Sequence, residues 1–187
     1  MRFGGPKGLE RVGGLRIIDR VVAALDAAVS DLYLAANDAG ANAWLPGVPI
    51  IQDAIPGGGG LSGVHAALAA SGRAVLVLAW DMPFVSGDLL RVLSARCATV
   101  DAAVPISASP VGMEPFCACY APSCLEPLER ALRAGQFGAA RFVRRLRAVD
   151  WLTDAEARAF GDPAQLYFSV NTREDLSAAN AMAASAQ

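Results

Sequence analysis

The chain has 187 residues, enough for one domain with a sizeable core, and its 54% hydrophobic and 18% charged content excludes a disordered polypeptide. Sixteen Lys and Arg against 18 Asp and Glu leave a net charge of −2, so no basic field exists to hold nucleic acid or an anionic membrane. The longest unbroken apolar run, Ala74 to Trp80, is too short to span a bilayer.

The chain opens with MRFGGPKGLERVGG, a glycine-rich turn without the apolar stretch of a signal peptide, and a cytoplasmic location is expected. Lys7 is the single lysine, and the other fifteen basic residues are Arg. An ammonium kept once, among glycines, suits a compact point charge; the alternative is chance at an exposed turn. Ile18, Val21, Val22, Leu25 and Val29 recur at helical spacing and predict a helix over Leu15 to Val29. DLYLAAN reads as a strand ending at Asn37 and VPIIQD as a second ending at Asp53. After PGGGG, LSGVHAALAA reads as a short helix. AVLVLAW is a continuous apolar run typical of a strand covered on both faces, and it stops at Asp81 in DMPF.

A helix from about Ser86 to Ala95 follows, then strands AAVPIS and EPFCACY, and a helix SCLEPLERALRAG closed by Gly135. The stretch from Ala139 to Phe160 mixes helix with the short strand RAVDWL. LYFSVN reads as a last strand, and Thr172 to Asp175 is a capping-box pattern opening the final helix. Strands alternating with helices predict one α/β domain over residues 1–187, with a largely parallel sheet covered on both faces. Ligands bind such sheets at the carboxyl ends of strands, where Asn37, Asp53, Asp81 and Asn171 are predicted to stand; each alone could serve as a turn former or cap.

Gly58, Gly60 and Gly63 have the spacing of a dinucleotide-binding fingerprint, but DAIP intervenes after the strand, so that reading is set aside. The glycine run can instead let backbone approach a nucleobase or sugar closely. His65 is expected to pack or cap, since no nucleophile pattern accompanies it. Cys97, Cys117, Cys119 and Cys124 lack metal-ligand spacing and read as buried small hydrophobes, with Cys117 and Cys119 on one strand face. Asp81, held by an apolar strand and turned by MPF, suits Mg²⁺, which takes one or two carboxylates plus substrate phosphates. Asp53 is an acceptor that could take two parallel hydrogen bonds, the pair a guanine edge donates.

RFGGPKGL, LAAN, IIQDAIPG, LSGVHAAL, AWDMPF, EPFCACY and SVNTREDL occur in the order seen in molybdenum cofactor guanylyltransferases, which the chain resembles over nearly its whole length. The resemblance implies a three-layer, Rossmann-like nucleotidyltransferase fold that uses Mg²⁺ to join GMP from GTP to molybdopterin. By match of motif, Lys7 and Arg2 would contact the phosphates, and Asn37, Asp53, Gly59 and Leu61 the nucleotide. Asp81 would serve catalysis, nucleotide and metal, and Asn171 the metal and pterin side. A transient molybdoenzyme or chaperone partner is implied as well. A cytidylyltransferase is the nearest rival, and a non-catalytic binding module the reading from another class. Trp80 stands where the family more often has a small residue, Gly60 and Arg173 where proline is usual, and Ser169 where a first asparagine is usual. The resemblance also places an apolar strand and a glycine-rich loop ahead of RFGGPKG, so a first strand is expected to be missing from this sheet.

Overall fold

A computed structural model describes residues 7–185. A hairpin of β1 (Arg11–Val12) and β2 (Leu15–Arg16) turns through Gly13 and Gly14, both at positive φ as a two-residue hairpin requires. The hairpin takes Leu15 and Arg16 out of the predicted first helix, so α1 spans Ile17–Asp26. Next come β3 (Leu34–Ala35), β4 (Ile50–Ile51), α2 (Gly60–Ser71), β5 (Val75–Leu78) and α3 (Gly87–Arg96). Then β6 (Ala102–Pro105), β7 (Cys117–Tyr120), α4 (Leu125–Arg133), α5 (Ala139–Val143), β8 (Val149–Leu152), α6 (Asp154–Ala157), α7 (Pro163–Leu166) and α8 (Arg173–Ser185) complete the order.

The unbroken apolarity of β5 has the cause expected from its sequence. Leu76 and Leu78 join one core with Val21 and Leu25 of α1 and Leu89, Leu90 and Leu93 of α3. Val75 and Val77 join a second core with Leu61, Val64 and Leu68 of α2 and Leu128 and Leu132 of α4. β7 divides likewise, with Cys117 and Cys119 in the first core and Ala118 and Tyr120 in the second. Each face of the β5–β7–β6–β8 sheet is therefore covered by helices, a mixed α/β fold. All four cysteines are buried free thiols, and burial pushes the Cys124 thiol up to about 12.

The sheet is not mostly parallel. β5 and β6 both run antiparallel to β7, and β6–β8 and β3–β4 are the parallel pairs among the described strands. β7 returns from β6 through a loop pinned by the Ile106–Met113 bridge, with no helix between them. An antiparallel return needs no crossover helix, and a strand buried on both faces has the same apolar run in either direction. LYFSVN is not a strand either. Pro163 opens α7, and the Asp162 carboxylate accepts the Ala164 N–H at 3.1 Å, which favours a helical turn there. Beyond α7, Val170 donates its N–H to the Asp81 carbonyl at 2.9 Å, so this segment lies against the end of β5.

Asp101 ties the start of β6 to the approach to β8. Its carboxylate accepts the Ser123 hydroxyl at 2.6 Å and the Arg147 and Ala148 N–H groups at 3.0 and 3.1 Å. The Ser123 hydroxyl, aided by those two N–H groups, outweighs burial and holds the carboxyl below its ordinary range. Asp101→Ala is expected to cost about 2 kcal/mol at neutral pH. With the folded pKa below the unfolded value of about 3.9, this stabilisation is complete above that value and is lost as the pH falls through the folded pKa. Urea titrations at neutral pH and near pH ~3 should show the gap between parent and variant narrowing in acid.

Candidate active site

β5 ends where Ala79 donates to the Phe116 carbonyl at 2.7 Å, and a turn closed from Met82 N–H to the Ala79 carbonyl at 3.2 Å then presents Asp81. The residue is 9% exposed and would be a costly place for a lone carboxylate. Lys7 supplies its counter-charge. Its ammonium donates to Asp81 Oδ2 at 2.5 Å and to Asn171 Oδ1 at 2.6 Å, joining residues 74 and 164 positions away in sequence. Lys7 reaches that point because Gly8 lies flat under Trp80; a Cβ there would stand 2.6 Å from the indole.

Asn171 is held by Asp175, whose Oδ2 accepts the Asn171 and Thr172 N–H groups at 2.9 and 2.8 Å. In return the Thr172 hydroxyl accepts the Asp175 N–H at 3.1 Å, the capping box read in the sequence. Burial opposes charge on Asp175, but these donors together with Lys7 outweigh it and keep the carboxyl below the ordinary range.

Across the rim, Asn37 and Asp53 extend from the ends of β3 and β4 and hold each other. Asn37 Nδ2 donates to Asp53 Oδ2 at 2.7 Å, and Asp53 N–H donates to Asn37 Oδ1 at 3.0 Å. Asn37, Asp53, Asp81 and Gly59 all line one cavity of about 920 Å³. So do Trp44 and Trp80, whose rings pack at 5.0 Å between centroids, tilted by 31°. Gly59 caps α2 at φ 55°, a conformation that favours glycine. Leu61 differs from its neighbours: its side chain is fully buried in the core beneath α2, and its N–H is already donated to the Gly58 carbonyl at 3.2 Å. Arg2 lies outside the described residues. His65 is buried in α2, and its Nδ1 has no hydrogen-bond partner among the described residues.

Two acids here escape a reading by strand ends. Asp175 announces itself as a cap but also fixes Asn171. Glu114, in the loop before β7, accepts the Ser107 hydroxyl at 2.5 Å. Burial, together with repulsion from Asp81, pushes its carboxyl up against the pull of the Ser107 and Ser109 hydroxyls. Its signal in the sequence was EPFCACY, a motif whose glutamate stands at no strand end.

Asn37, Asp53 and Asp81 thus stand beyond strand ends around one cavity, and residues 1–150 match the MobA-like NTP transferase domain, which makes the chain a nucleotidyltransferase. A probable molybdenum cofactor guanylyltransferase of Pelotomaculum thermopropionicum is 33% identical over 183 residues, 97% of this chain and 87% of that one. The crystal structure of molybdopterin-guanine dinucleotide biosynthesis protein A from Archaeoglobus fulgidus has a TM-score of 0.82 at 28% identity, covering 98% of this chain and 93% of that. Rv0371c of Mycobacterium tuberculosis, solved as a complex with manganese, shares the fold at a TM-score of 0.70 and 19% identity, over 95% and 93% of the two chains. The chain belongs to the molybdenum cofactor guanylyltransferase family. Among the described residues, no helix is long and apolar enough to cross a membrane.

Asp175→Ala should remove the acceptor for two N–H groups and the cap of α8. The expected cost is about 1 kcal/mol, within the range for loss of a helix cap, readable as a lowered urea midpoint with an unchanged slope.

Proposed function

We propose that the chain, as a single domain, transfers GMP from GTP to the terminal phosphate of molybdopterin in the cytoplasm, releasing pyrophosphate. The observation that carries this reading is the Lys7 ammonium bridging Asp81 and Asn171 beside the cavity that Asn37 and Asp53 line. An oxygen of the acceptor phosphate forms a bond to the α-phosphorus of GTP while the bond from that phosphorus to the bridging oxygen breaks, and the electron pair leaves with pyrophosphate. Such a transfer asks the protein mainly for position and charge. Lys7 supplies charge: its ammonium is within reach of phosphates brought to the Asp81 rim and stabilises the negative charge that builds there. Arg2 is assigned to the same phosphates.

The rim also suits Mg²⁺. Asp81 Oδ2 and Asn171 Oδ1 already converge on one cation, the ammonium, and both are hard oxygen donors. No cluster of three or more His, Cys, Asp or Glu competes as a metal site among the described residues, so phosphates and water would complete the shell. When bound there, the ion would supply charge neutralisation on the phosphates.

Asp53 is assigned to the base. Guanine donates two adjacent N–H groups along its edge, and an ionised carboxylate accepts such a pair. Asn37 braces that carboxylate from one side and so sets its plane before the ligand arrives. Gly59 lets backbone approach the nucleotide, whereas the side chain of Leu61 is turned into the core beneath α2 and offers it no contact. The product is of a kind handed to a molybdoenzyme or its chaperone, a transient partner.

Pyrophosphate release from GTP in the presence of molybdopterin and Mg²⁺ tests the transfer itself; binding without release would overturn it. Lys7→Ala is expected to lower kcat/KM by about 2–4 kcal/mol of transition-state stabilisation, roughly 30- to 10³-fold in rate. Calorimetry with Mg²⁺-GTP and Mg²⁺-CTP should show tighter GTP binding, with the preference reduced at least about tenfold in Asp53→Ala, the size expected from losing a charged hydrogen-bond acceptor. A preference for CTP would sink the guanylyl assignment.

A further inference from the structure

A second cavity, of about 240 Å³, lies between α4 and α5 and shares no residue with the first. Its floor is apolar: Ala131, Phe142 and Leu146 belong to the core that α4 shares with α2. Its rim is Arg130, Arg141 and Arg145. Residues 130–147 hold six of the fifteen arginines and no Asp or Glu, in a chain whose net charge is −2. Gly135, at φ 68°, turns the chain between the two helices, and Gln136 N–H closes the turn on the Ala131 carbonyl at 2.9 Å. That turn gathers Arg130, near the end of α4, with Arg141 and Arg145, four positions apart along α5 and just beyond it.

These arginines are short of acid. Among the described residues, the Arg141 guanidinium has no acceptor at all. Arg145 donates to Gln136 Oε1 at 2.5 Å and the adjacent Arg144 to the Val111 carbonyl at 2.6 Å, both neutral partners. Arg130 does reach a carboxylate, that of Glu126, but the pair is exposed on both sides, and such pairs hold weakly. Like charges gathered around one opening, without carboxylates to balance them, favour an anionic occupant. A planar guanidinium grips a carboxylate through two parallel N–H bonds. The floor selects among anions, since inorganic phosphate has nothing to place against Phe142 and Leu146. The cavity is also smaller than the roughly 300–1,000 Å³ of pockets that enclose a whole small-molecule ligand. An anionic membrane would meet Glu126 at the rim and a chain of negative net charge around it.

We infer that this cavity seats an acidic segment of a partner protein. One apolar side chain of that segment enters the cavity, and carboxylates on either side of it are taken by Arg130, Arg141 and Arg145. Arginines around a desolvated apolar anchor are the groups that concentrate binding energy in an interface. Phe137 sets where the partner then stands. Its neighbours Gln136 and Gly138 line the cavity, and its ring lies over the glycine run, 3.6 Å from the Cβ position of Gly57 and 3.4 Å from that of Gly58. The next residue, Gly59, lines the larger cavity that holds the proposed nucleotide site. A segment docked between α4 and α5 is therefore one side chain away from that loop. The seat is built from its own residues and does not rest on the nucleotide assignment.

The test titrates the full chain into fluorescein-labelled hexapeptides and reads anisotropy. One peptide is Glu-Asp-Leu-Phe-Asp-Glu, a second has Ser in place of Leu and Phe, and a third has Lys in place of the acids. The first should bind about tenfold or more tightly than the second, and the third should not bind. Arg141→Glu combined with Arg145→Glu should weaken the first peptide about tenfold or more, whereas Arg158→Glu, at an exposed arginine following α6, should leave it unchanged. Amide shifts at Ala131, Gln136 and Gly138 on adding the first peptide place it in the cavity. No binding, equal binding of the serine peptide, full binding by the doubly reversed variant, or shifts confined to other segments overturns the inference. So does displacement of the peptide by inorganic phosphate or by phosphatidylglycerol vesicles at matching concentration. If the double reversal does not fold, Arg141→Gln with Arg145→Gln is judged by the same anisotropy. Mg²⁺-GTP binding is titrated on the same proteins, so that failure of the nucleotide reading is told apart from failure of this one.

Discussion

A nearly buried carboxylate cannot stand alone, and the arrangement of this rim follows from that constraint on Asp81. Taking its charge out of water is tolerable only beside a cation with good geometry. Lys7, the single ammonium in a chain of arginines, fills that place and brings Asn171 with it. Three segments remote in sequence are thus fastened at one point: the turn at Lys7, the end of β5, and the entry to α8. A compact, flexible ammonium can be held by two oxygens and still exchange one for a phosphate, which a planar guanidinium does less readily.

The opposite side of the cavity works by a different balance. Asn37 and Asp53 satisfy each other directly through a side-chain bond and a backbone bond, on strands that are themselves paired in parallel. Their mutual hydrogen bonds set orientation before any ligand is present, and preorganisation of this sort lowers the entropic cost of binding. One side of the rim therefore pairs an ammonium with a nearly buried carboxylate, and the other holds a carboxylate in a fixed orientation, the division on which the proposed seating of a phosphate end and a base end rests.

Much of this was legible from residue order. The continuous apolarity of β5, the helix beginning near Ser86, the box at Thr172 and the glycine stop at Gly135 are local signals, and each appears in the structure where its chemistry put it. Strand direction was not legible, because β7 is covered on both faces and such a strand has no alternation to betray its partner. LYFSVN misled for a related reason: its apolar residues pack against the folded body without pairing in a ladder, and Asp162 with Pro163 had already opened a helical turn. Glu114 stayed hidden because only the loop between β6 and β7, folded back by the Ile106–Met113 bridge, carries it toward Asp81.

The sequence by itself determined the main helices, which apolar runs would be buried, and that Asn37, Asp53 and Asp81 would stand beyond strand ends, since propensity, capping and hydrophobic period act over a few residues. It also determined that one ammonium would be singled out, through the bare count of lysines. Only the tertiary structure decided that Lys7 meets both Asp81 and Asn171, that Asn37 braces Asp53, and that β3 and β5 line one cavity. Those pairings join residues from 16 to 164 positions apart, and contacts at such distances are set by how the layers pack around two cores, which no local pattern encodes.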